Sequence, residues 1–259
     1  MSNQRNLYVI VPVFNESENM ETFVKSLHFI KKDFENRYHL KFIIVDDGSV
    51  DHSGTIAQQL STRLDLVVLT HQKNQGPGQA FGTAFDHLSK SLVDEDWVIT
   101  MEGDNTSRYE LIRQMFTRTQ EGYDVVLASP FMYGGGITKT STWRVILSHI
   151  ANAFVKELIG LNGIITVSSF FRLYRGAVIK KLQSYYGPKI VERTGFESMI
   201  EILLKMIFLQ VSISEVPMLL DTALRRGRSK MKIIRTIWGY LTIMKDKNHW
   251  QRGRVVNPV

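Results

Sequence analysis

The strongest constraint on the fold is a repeated unit, in which a short apolar strand is followed by a polar loop and then by a helix-like segment. Such alternation predicts an α/β fold with a mostly parallel central sheet, covered by helices on both faces. The strands are predicted at residues 7–13, 42–45, 66–70, 98–101 and 123–128, and the helices at about residues 17–31, 53–63, 80–91 and 109–119.

Acidic turns follow three of the predicted strands. Glu16 follows the first strand, Asp46 and Asp47 follow the second, and Glu102 and Asp104 follow the fourth. In sheets of this kind, ligands bind beyond the carboxyl ends of the strands. The three turns are therefore expected to meet at one edge of the sheet and form one site.

Glu102 and Asp104 are separated by a single glycine. Residues two apart in an extended segment point to the same side, so both carboxylates can converge on one ligand. Carboxylate oxygens suit Mg²⁺ or Mn²⁺, with nucleotide phosphates completing the coordination shell. The alternative is an acidic turn that caps the next helix, with Ser107 as the N-cap and Glu110 three positions later. Alone, that alternative would be favoured; the two other acidic turns favour the metal site.

Length and composition limit the number of domains and the kinds of partner that the chain can have. Its 259 residues fit one large α/β domain, or one domain with a tail. The net charge of +7 suits phosphate-rich partners such as nucleotides and anionic lipid surfaces. The absence of cysteine excludes disulfides, thiolate catalysis and cysteine-ligated zinc, and fits a reducing cytoplasm. Neither a signal peptide nor an uninterrupted apolar run of about 18 residues is found, so no transmembrane helix is expected.

Several nucleotide-binding motifs are missing. No G-x-G-x-x-G follows the first strand and no G-x-x-x-x-G-K-[ST] occurs, which argues against hydride transfer and P-loop phosphoryl transfer. A nucleotidyltransferase is disfavoured because no glycine-rich loop with a lysine opens the first helix. Nucleic-acid binding is the weakest option, since the basic residues are scattered and no recognition motif appears.

The second half of the chain has a different pattern. Residues 143–161 are amphipathic, with Ile146, Ile150, Phe154 and Leu158 at helical spacing. This helix fits the core or a membrane interface, and spacing alone favours the core. The other predictions are a mobile loop at 133–137, strands at 168–174 and 211–217, a helix at 195–208, a basic loop at 224–232, an apolar last helix at 233–244 that can touch a bilayer or a partner, and a frayed end at 245–259.

These motifs together resemble a known family. Residues 9–16 (VIVPVFNE), 44–49 (IVDDGS), 74–76 (NQG) and 102–104 (EGD) resemble the family 2 glycosyltransferases of the GT-A fold. Residues 168–171 (SSFF), 195–196 (GF), 215–217 (EVP) and 226–230 (RGRSK) are similar to its polyprenyl-phosphate sugar transferase branch. The resemblance runs in order from residue 7 to about residue 244.

The resemblance implies a role for each matching residue. Glu102 and Asp104 would bind the divalent metal and the diphosphate, and with Arg226 and Lys230 they form the implied catalytic set. Arg226, Ser229 and Lys230 lie in the basic loop that meets the lipid phosphate; a solvated charged turn is the alternative for that loop. The residues implied in binding the nucleotide donor are Pro12, Phe14, Glu16, Asp46, Asp47 and Gly76. Ser229 is assigned to the same group.

The resemblance also implies an activity. A metal-dependent, inverting transferase would move a sugar from a UDP- or GDP-sugar to a polyprenyl phosphate at the cytoplasmic face of a membrane. Residues 1–225 would form the catalytic domain, and residues 226–259 the basic loop, amphipathic helix and tail. A lipid monophosphate is already anionic, so it needs no strong general base. A membrane subunit or a second copy is an open partner, and no nucleic acid is expected.

Three positions depart from the family pattern and keep alternatives open. Glu102 stands in place of an aspartate, Pro130 in place of an arginine, and Ile165-Thr166 where an aspartate is common, which predicts a different sugar or acceptor. One alternative is a soluble transferase acting on a hydroxyl, with Glu197 or Glu201 as base unless both are ordinary helix-surface acids. The other is a non-catalytic nucleotide-sugar-binding subunit.

Overall fold

The computed structural model describes residues 4–188, 190–226 and 233–252. Its strands are β1 (Asn6–Val13), β2 (His39–Asp46), β3 (Leu66–Thr70), β4 (Trp97–Thr100), β5 (Val125–Ser129), β6 (Gly136–Thr138), β7 (Arg172–Arg175), β8 (Ile213–Pro217) and β9 (Leu219–Asp221). Its helices are α1 (Ser17–Phe34), α2 (Ser53–Leu60), α3 (Pro77–Ser89), α4 (Leu111–Gln120), α5 (Thr142–Ile159), α6 (Gly176–Tyr186), α7 (Ser198–Phe208) and α8 (Ile233–Arg252).

Seven strands form the central sheet, in the order β3-β2-β1-β4-β7-β5-β8. All neighbouring pairs are parallel except those of β7, which runs antiparallel to β4 and β5. The predicted mostly parallel α/β sheet is therefore confirmed. Val13 lies opposite Asp46, and Asp46 opposite Thr70, so β1, β2 and β3 end at the same edge of the sheet. That shared edge brings the turns after these strands together.

Helices cover both faces of the sheet because the strands are apolar on both sides. Along β1, Leu7, Val9 and Val11 pack against α1 and α4 on one face. Tyr8 and Ile10, which alternate with them, pack in the other cluster with α3, α6 and α7. Alternation of side chains along a strand places successive residues in opposite layers. Burial on both faces explains the near-continuous apolar runs in the sequence.

Four predicted boundaries in the second half are corrected. The strand expected at 168–174 begins only at Arg172, and the helix expected at 195–208 begins at Ser198. Part of the loop expected at 133–137 is strand β6, which pairs in parallel with β9 in a second, two-stranded sheet. The last helix continues to Arg252, so residues 245–252 are helical rather than frayed. These elements are short or depend on partners distant in sequence, which local patterns do not reveal.

The preference for a core position of α5 was wrong. Only Val155 and Ile159 of this helix are buried, whereas Trp143, Leu147 and Phe154 are 74%, 61% and 55% exposed. Spacing identifies which side chains share a face of a helix, but it does not identify what covers that face. The other interpretation of the segment, an interfacial helix, remains open.

Helix α8 is attached to the rest of the protein near its C-terminal end. Trp250 is 1% exposed, and its indole Nε1 donates to Glu192 Oε1 at 3.2 Å. The helix packs on α7 and α5. Among the helices of the described residues, none has the length and hydropathy needed to cross a bilayer. The proposed division at residue 225 stays a prediction.

Candidate functional site

The loops after β1 and β2 hold each other through backbone donors. Ser49 Oγ accepts from the Asn15 amide N at 2.9 Å, and Asn15 Oδ1 accepts from the Val50 amide N at 2.8 Å. The Glu16 amide N donates to Ser53 Oγ at 2.8 Å. Asn15 has a φ of 51°, a left-handed conformation that asparagine tolerates better than most residues. These contacts fix the first acidic turn against the second.

Asp47 is buried and holds the loop after β3 against the loop after β2. Its Oδ1 pairs with His71 Nδ1 at 2.7 Å and accepts from the Gln75 amide N at 2.8 Å, while its Oδ2 accepts from the Gly76 amide N at 2.8 Å. Its neighbour Asp46, also buried, accepts from the Ser49 amide N at 3.0 Å. Both aspartates thus order the loops at the sheet edge. Their predicted contacts with the base and ribose stay predictions.

Gly76 occupies a position that a side chain cannot share. Its φ is +94°, and a Cβ built there would lie 2.3 Å from the Thr194 carbonyl oxygen. The residue precedes α3 as its N-cap. Glycine therefore lets the loop pass against the segment after α6. The resemblance to the family pointed to this position, and the structure supplies the physical reason for glycine.

Pro12, Phe14 and Glu16, which were also predicted to hold the base and ribose, lie at or just after the end of β1 and are half-buried. The Pro12 carbonyl oxygen is 3.4 Å from the point where a Cβ of Gly103 would stand. The carboxylate loop therefore passes close to the backbone of β1. This approach brings the predicted base-binding positions and the predicted metal ligands to one place.

Glu102 and Asp104 follow β4 at the same edge. Asp104 is buried, and its Oδ1 accepts from the Thr106 amide N at 3.0 Å and from Thr106 Oγ1 at 2.7 Å. Glu102 is half-buried. Its burial and then the charge of Asp104 raise the pKa of Glu102 to about 8, although Arg225 acts in the opposite direction.

The helix-capping interpretation of this turn was wrong. Helix α4 begins at Leu111, with Glu110 rather than Ser107 as its N-cap, and no side-chain cap bond is made. Ser107 Oγ is buried without a hydrogen-bond partner. The polar residues after β4 therefore do not serve to start the next helix.

Arg225 contacts the carboxylate loop, and the sequence analysis did not single it out. Its Nε donates to Asp104 Oδ2 at 2.5 Å, and a second guanidinium nitrogen pairs with the same oxygen. Burial alone would lower the pKa of Arg225, but the charges of Asp104 and then Glu102 outweigh it and raise the pKa. The basic loop was visible in the sequence. The contact itself joins residues 121 positions apart, and no local pattern reveals such a pair.

Arg226, the predicted acceptor residue, is held beside the site by its backbone. Asn19 Oδ1 accepts from the Arg226 amide N at 2.8 Å, and Asn19 Nδ2 donates to the Arg226 carbonyl at 3.1 Å. The Arg226 residue as a whole is exposed. Asn105 Nδ2 donates to the Asn19 carbonyl at 3.0 Å. This bond connects Asn19, and through it Arg226, to the loop after β4 that carries Glu102 and Asp104. Ser229 and Lys230 lie outside the described residues.

The two candidate bases are not surface acids. Glu201 is fully buried and pairs with Lys205 Nζ at 2.6 Å, and its carboxylate also accepts from the amides of Glu192 and Arg193. Burial raises the pKa of Glu201, with Lys205 opposing. Glu197 is 8% exposed and accepts from the Gly195 amide N at 3.2 Å. The surface-acid interpretation was wrong, and Glu201 is committed to a structural ion pair.

One departure from the family pattern has a structural counterpart. The carboxylate of Glu215 accepts from the amides of Ile165 and Thr166, at 2.6 Å and 2.8 Å. Thr166 Oγ1 also hydrogen-bonds Ser129 Oγ, directly before Pro130. A carboxylate from β8 therefore orders the segment in which the family's own aspartate is absent.

The carboxylates of Glu102 and Asp104 fit a divalent cation whose remaining ligands are oxygens of a bound nucleotide. Within residues 4–188, 190–226 and 233–252, no group of three or more side chains is arranged to hold a metal. Two carboxylates at a strand end therefore need oxygens from a ligand to complete a shell, as diphosphates provide for Mg²⁺. Asp104 already attracts a cation, the Arg225 guanidinium, which shows that its environment favours positive charge.

Comparison with known proteins agrees with the fold and the motifs. The model of the family described as glycosyl transferase family 2 matches residues 8–183. The polyprenol monophosphomannose synthase of Mycolicibacterium smegmatis is 28% identical over 230 residues, which cover 88% of this chain and 81% of that protein. The dolichol-phosphate mannosyltransferase of Pyrococcus furiosus is 27% identical over 247 residues, covering 94% of this chain but only 64% of that longer protein.

A solved structure shows the same fold at lower identity. Glucosyl-3-phosphoglycerate synthase from Mycobacterium tuberculosis, solved with Mn²⁺, uridine diphosphate and glucosyl-3-phosphoglycerate, superposes with a TM-score of 0.59 at 15% identity. The superposition covers 95% of this chain and 80% of that one. The architecture is the GT-A fold.

Proposed function

This chain belongs to glycosyl transferase family 2, and we propose that it transfers a sugar from a nucleoside-diphosphate donor to a polyprenyl phosphate at a membrane surface. The observation that carries the proposal is the contact between Asp104, in the carboxylate loop after β4, and Arg225, whose neighbour Arg226 is held by Asn19. One element suits a metal and a diphosphate, and the other suits the phosphate of an acceptor. Curated relatives named for polyprenol and dolichol phosphates support this acceptor class.

The donor half of the reaction follows from the strand-end loops. Pro12, Phe14 and Glu16 line the end of β1, where a base and ribose would lie against the wall built by Asp47. Glu102 and Asp104 are the residues that would hold Mg²⁺ or Mn²⁺. When bound, the ion supplies charge neutralisation to the leaving nucleoside diphosphate.

The acceptor half needs positive charge more than a base. A phosphate oxygen of the acceptor is already an anion, so it attacks the anomeric carbon without losing a proton. The new carbon–oxygen bond forms as the bond to the diphosphate breaks, and the electron pair leaves with the diphosphate. Exposed Arg226, whose backbone is held by Asn19, would attract the acceptor phosphate. The burial of Glu201 in an ion pair supports this chemistry over transfer to a hydroxyl.

The direct test is transfer by purified protein across a panel of UDP- and GDP-sugars, with Mg²⁺ or Mn²⁺ and a short-chain polyprenyl phosphate. Asp104→Asn keeps the shape of the side chain but removes its charge, and we expect the rate to fall about a hundredfold or more. Asp33→Asn, which removes a surface carboxylate paired with Arg113, is the matched control and should keep the rate. Transfer that survives Asp104→Asn, or that requires a hydroxyl acceptor, would overturn the proposal.

A further inference from the structure

A cavity of about 340 Å³ lies at the edge of the central sheet opposite the candidate site. Arg5 directly precedes β1, Trp97 begins β4 and Arg175 ends the antiparallel β7, and all three line the cavity. Leu7 lies opposite Trp97, and Trp97 opposite Arg175, so the register brings these residues to one place. The eight residues of β1 span roughly 25 Å between the two edges, at about 3.3 Å per residue. The cavity is therefore separate from the carboxylate loop.

The buried part of the lining is aromatic. The rings of Tyr38 and Phe116 are stacked with their centroids 5.2 Å apart, and Trp97 meets Phe116 edge-on at 5.6 Å. Tyr38 follows α1, Trp97 begins β4 and Phe116 lies in α4, so three elements of the core hold this aromatic floor in one shape. Tyr38 is half-buried, which leaves part of its surface open. Aromatic surfaces of this kind suit a flat, apolar part of a ligand.

Three arginines line the same cavity, and two of them are not committed to an acid. Arg175 pairs with Asp124 at 3.4 Å. In the described part of the chain, the ion pairs of arginine include neither Arg5 nor Arg37, and both residues are exposed. Burial raises the pKa of Tyr38, and the positive charges of Arg37 and then Arg5 oppose this rise. Both guanidiniums therefore stand near the same phenol.

Hydrogen bonds fix the backbone from which these two arginines extend. Asp96 is fully buried, and its Oδ1 accepts from the Asn6 amide N at 2.8 Å and from Asn6 Nδ2 at 3.0 Å. The Arg5 carbonyl accepts from the His39 amide N at 2.9 Å, which joins the start of β1 to the turn that carries Arg37. The rim of the cavity is therefore ordered before any ligand binds, and binding has to order only the two side chains.

The charge balance of the lining favours an anion. Asp124 is used by Arg175 and also accepts from Ser212 Oγ at 2.9 Å, and Glu95, the other acid of the lining, is exposed. Three arginines against two acids leave an excess of positive charge. Neighbouring cations repel each other, and an anion that accepts from both removes that repulsion. A phosphate suits this role because its oxygens can accept from two guanidiniums at once.

We propose that this cavity binds a small organic phosphate that carries a flat ring. The phosphate would lie between Arg5 and Arg37, and the ring would rest on the aromatic floor that Tyr38 and Trp97 form with Phe116. The volume of the cavity lies within the range of small-molecule sites, which is roughly 300–1,000 Å³. Nucleoside monophosphates belong to this class of ligand. None of these residues belongs to the donor or acceptor side of the proposed reaction, so the inference does not rest on the proposed function.

Isothermal titration calorimetry of the full chain with phenyl phosphate tests the proposal, because this probe combines a phosphate dianion with a single ring. Arg5→Gln/Arg37→Gln removes both uncommitted charges, and we expect the affinity to fall about tenfold or more. Arg63→Gln/Arg252→Gln is the matched control, because it removes the same net charge from exposed positions elsewhere, and it should bind as the wild type does. Inorganic phosphate, which lacks the ring, should bind the wild type roughly tenfold more weakly than phenyl phosphate.

Fluorine NMR of the chain labelled with 5-fluorotryptophan shows where the probe binds. Of the four tryptophans, all of which lie in described residues, Trp97 alone lines the cavity. Phenyl phosphate should therefore shift the resonance that is missing from Trp97→Phe and leave the other three in place.

Four results would overturn the proposal. These are absence of binding, an equal loss of affinity in both double variants, inorganic phosphate that binds as tightly as phenyl phosphate, and a shift confined to the other tryptophans. An equal loss would assign binding to the net charge of the protein rather than to the cavity. Neither measurement uses sugar transfer, so failure of the proposed function would leave both results unchanged.

Discussion

The loops of the donor side and the helices of the C-terminal side are held in opposite ways. Around Asp47, buried carboxylate oxygens accept hydrogen bonds from the backbone amides of Gln75 and Gly76, so the loops after β2 and β3 have one arrangement before any ligand arrives. Helices α5 and α8 are anchored toward their C-terminal ends, at Ile159 and Trp250, and both also expose large apolar side chains, such as Trp143 and Trp238. The comparison sets preorganised loops, where we propose that the nucleotide binds, beside helices that carry exposed apolar side chains.

The largest expected effect comes from breaking the anchor on the C-terminal side. Lys205 and Glu201 are both fully buried, and Lys205 also stands over the rings of Tyr186 and Trp250. Lys205→Met leaves the carboxylate buried without its cation, and we expect the free energy of unfolding to fall by about 3–5 kcal/mol. Urea denaturation measures this loss.

The control for this anchor is the double variant Glu201→Gln/Lys205→Met, which removes both charges. It should recover more than half of the loss, because no uncompensated charge remains in the core. A double variant as unstable as Lys205→Met would show that shape, rather than charge, holds α8 in place.

A smaller loss is expected from breaking the donor side at Gly76. Gly76→Ala combines a positive φ with a clash at the Thr194 carbonyl, so stability should fall by about 3 kcal/mol and nucleotide affinity should fall with it. Gly122→Ala isolates the cost of the backbone conformation, because Gly122 has a φ of +96° and no atom lies within 4 Å of the point where its Cβ would stand. We expect about 1 kcal/mol there. Equal losses would remove the clash from the explanation.

Asn19→Ala tests the connection between helix α1 and the basic segment at Arg226. This change removes both hydrogen bonds to the Arg226 backbone and should cost about 1–2 kcal/mol. Freed backbone should be cut by trypsin at Arg225 and Arg226 roughly tenfold faster, as followed by mass spectrometry. Ser26→Ala, on an exposed turn of the same helix, should leave cleavage unchanged. Unchanged cleavage in Asn19→Ala would mean that Arg225 alone holds the segment.

The smallest effect concerns pH and the loop after β2. Burial would raise the pKa of Asp51, but hydrogen bonds from Ser53 and Ser17 outweigh it and lower the pKa from 3.8 to about 2. A carboxyl whose pKa is depressed by folding stabilises the protein above its unfolded pKa, and this contribution is lost as the pH falls from about 4 to about 2. Asp51→Asn should therefore cost under about 1 kcal/mol at pH 7, and the difference from wild type should shrink in urea titrations at pH 4 and 3. A gap that does not depend on pH would assign the effect to shape alone.

The sequence predicted the strands and their shared edge well because their signals are local. The runs in β1, β2 and β4 are apolar on both faces, and their acidic turns follow at once, so strand positions and the shared edge could be inferred. It failed for Arg225, since an ion pair across 121 residues leaves no periodic trace. It failed for α5 as well, because spacing defines a face and is silent on whether water, protein or lipid meets it. The roles of Ser229 and Lys230 stay predictions.

Because Arg225 is bound to Asp104, a metal cation that binds Asp104 would replace one positive charge, the guanidinium, with another. Any cation that binds Asp104 has to displace a guanidinium already bound to it, so a bare ion gains less than it would at an empty carboxylate. A nucleotide brings its own negative charge, which can receive the released guanidinium. At the proposed site, cation and nucleotide would therefore favour binding together, and the ion pair with Arg225 neutralises the buried aspartate in their absence.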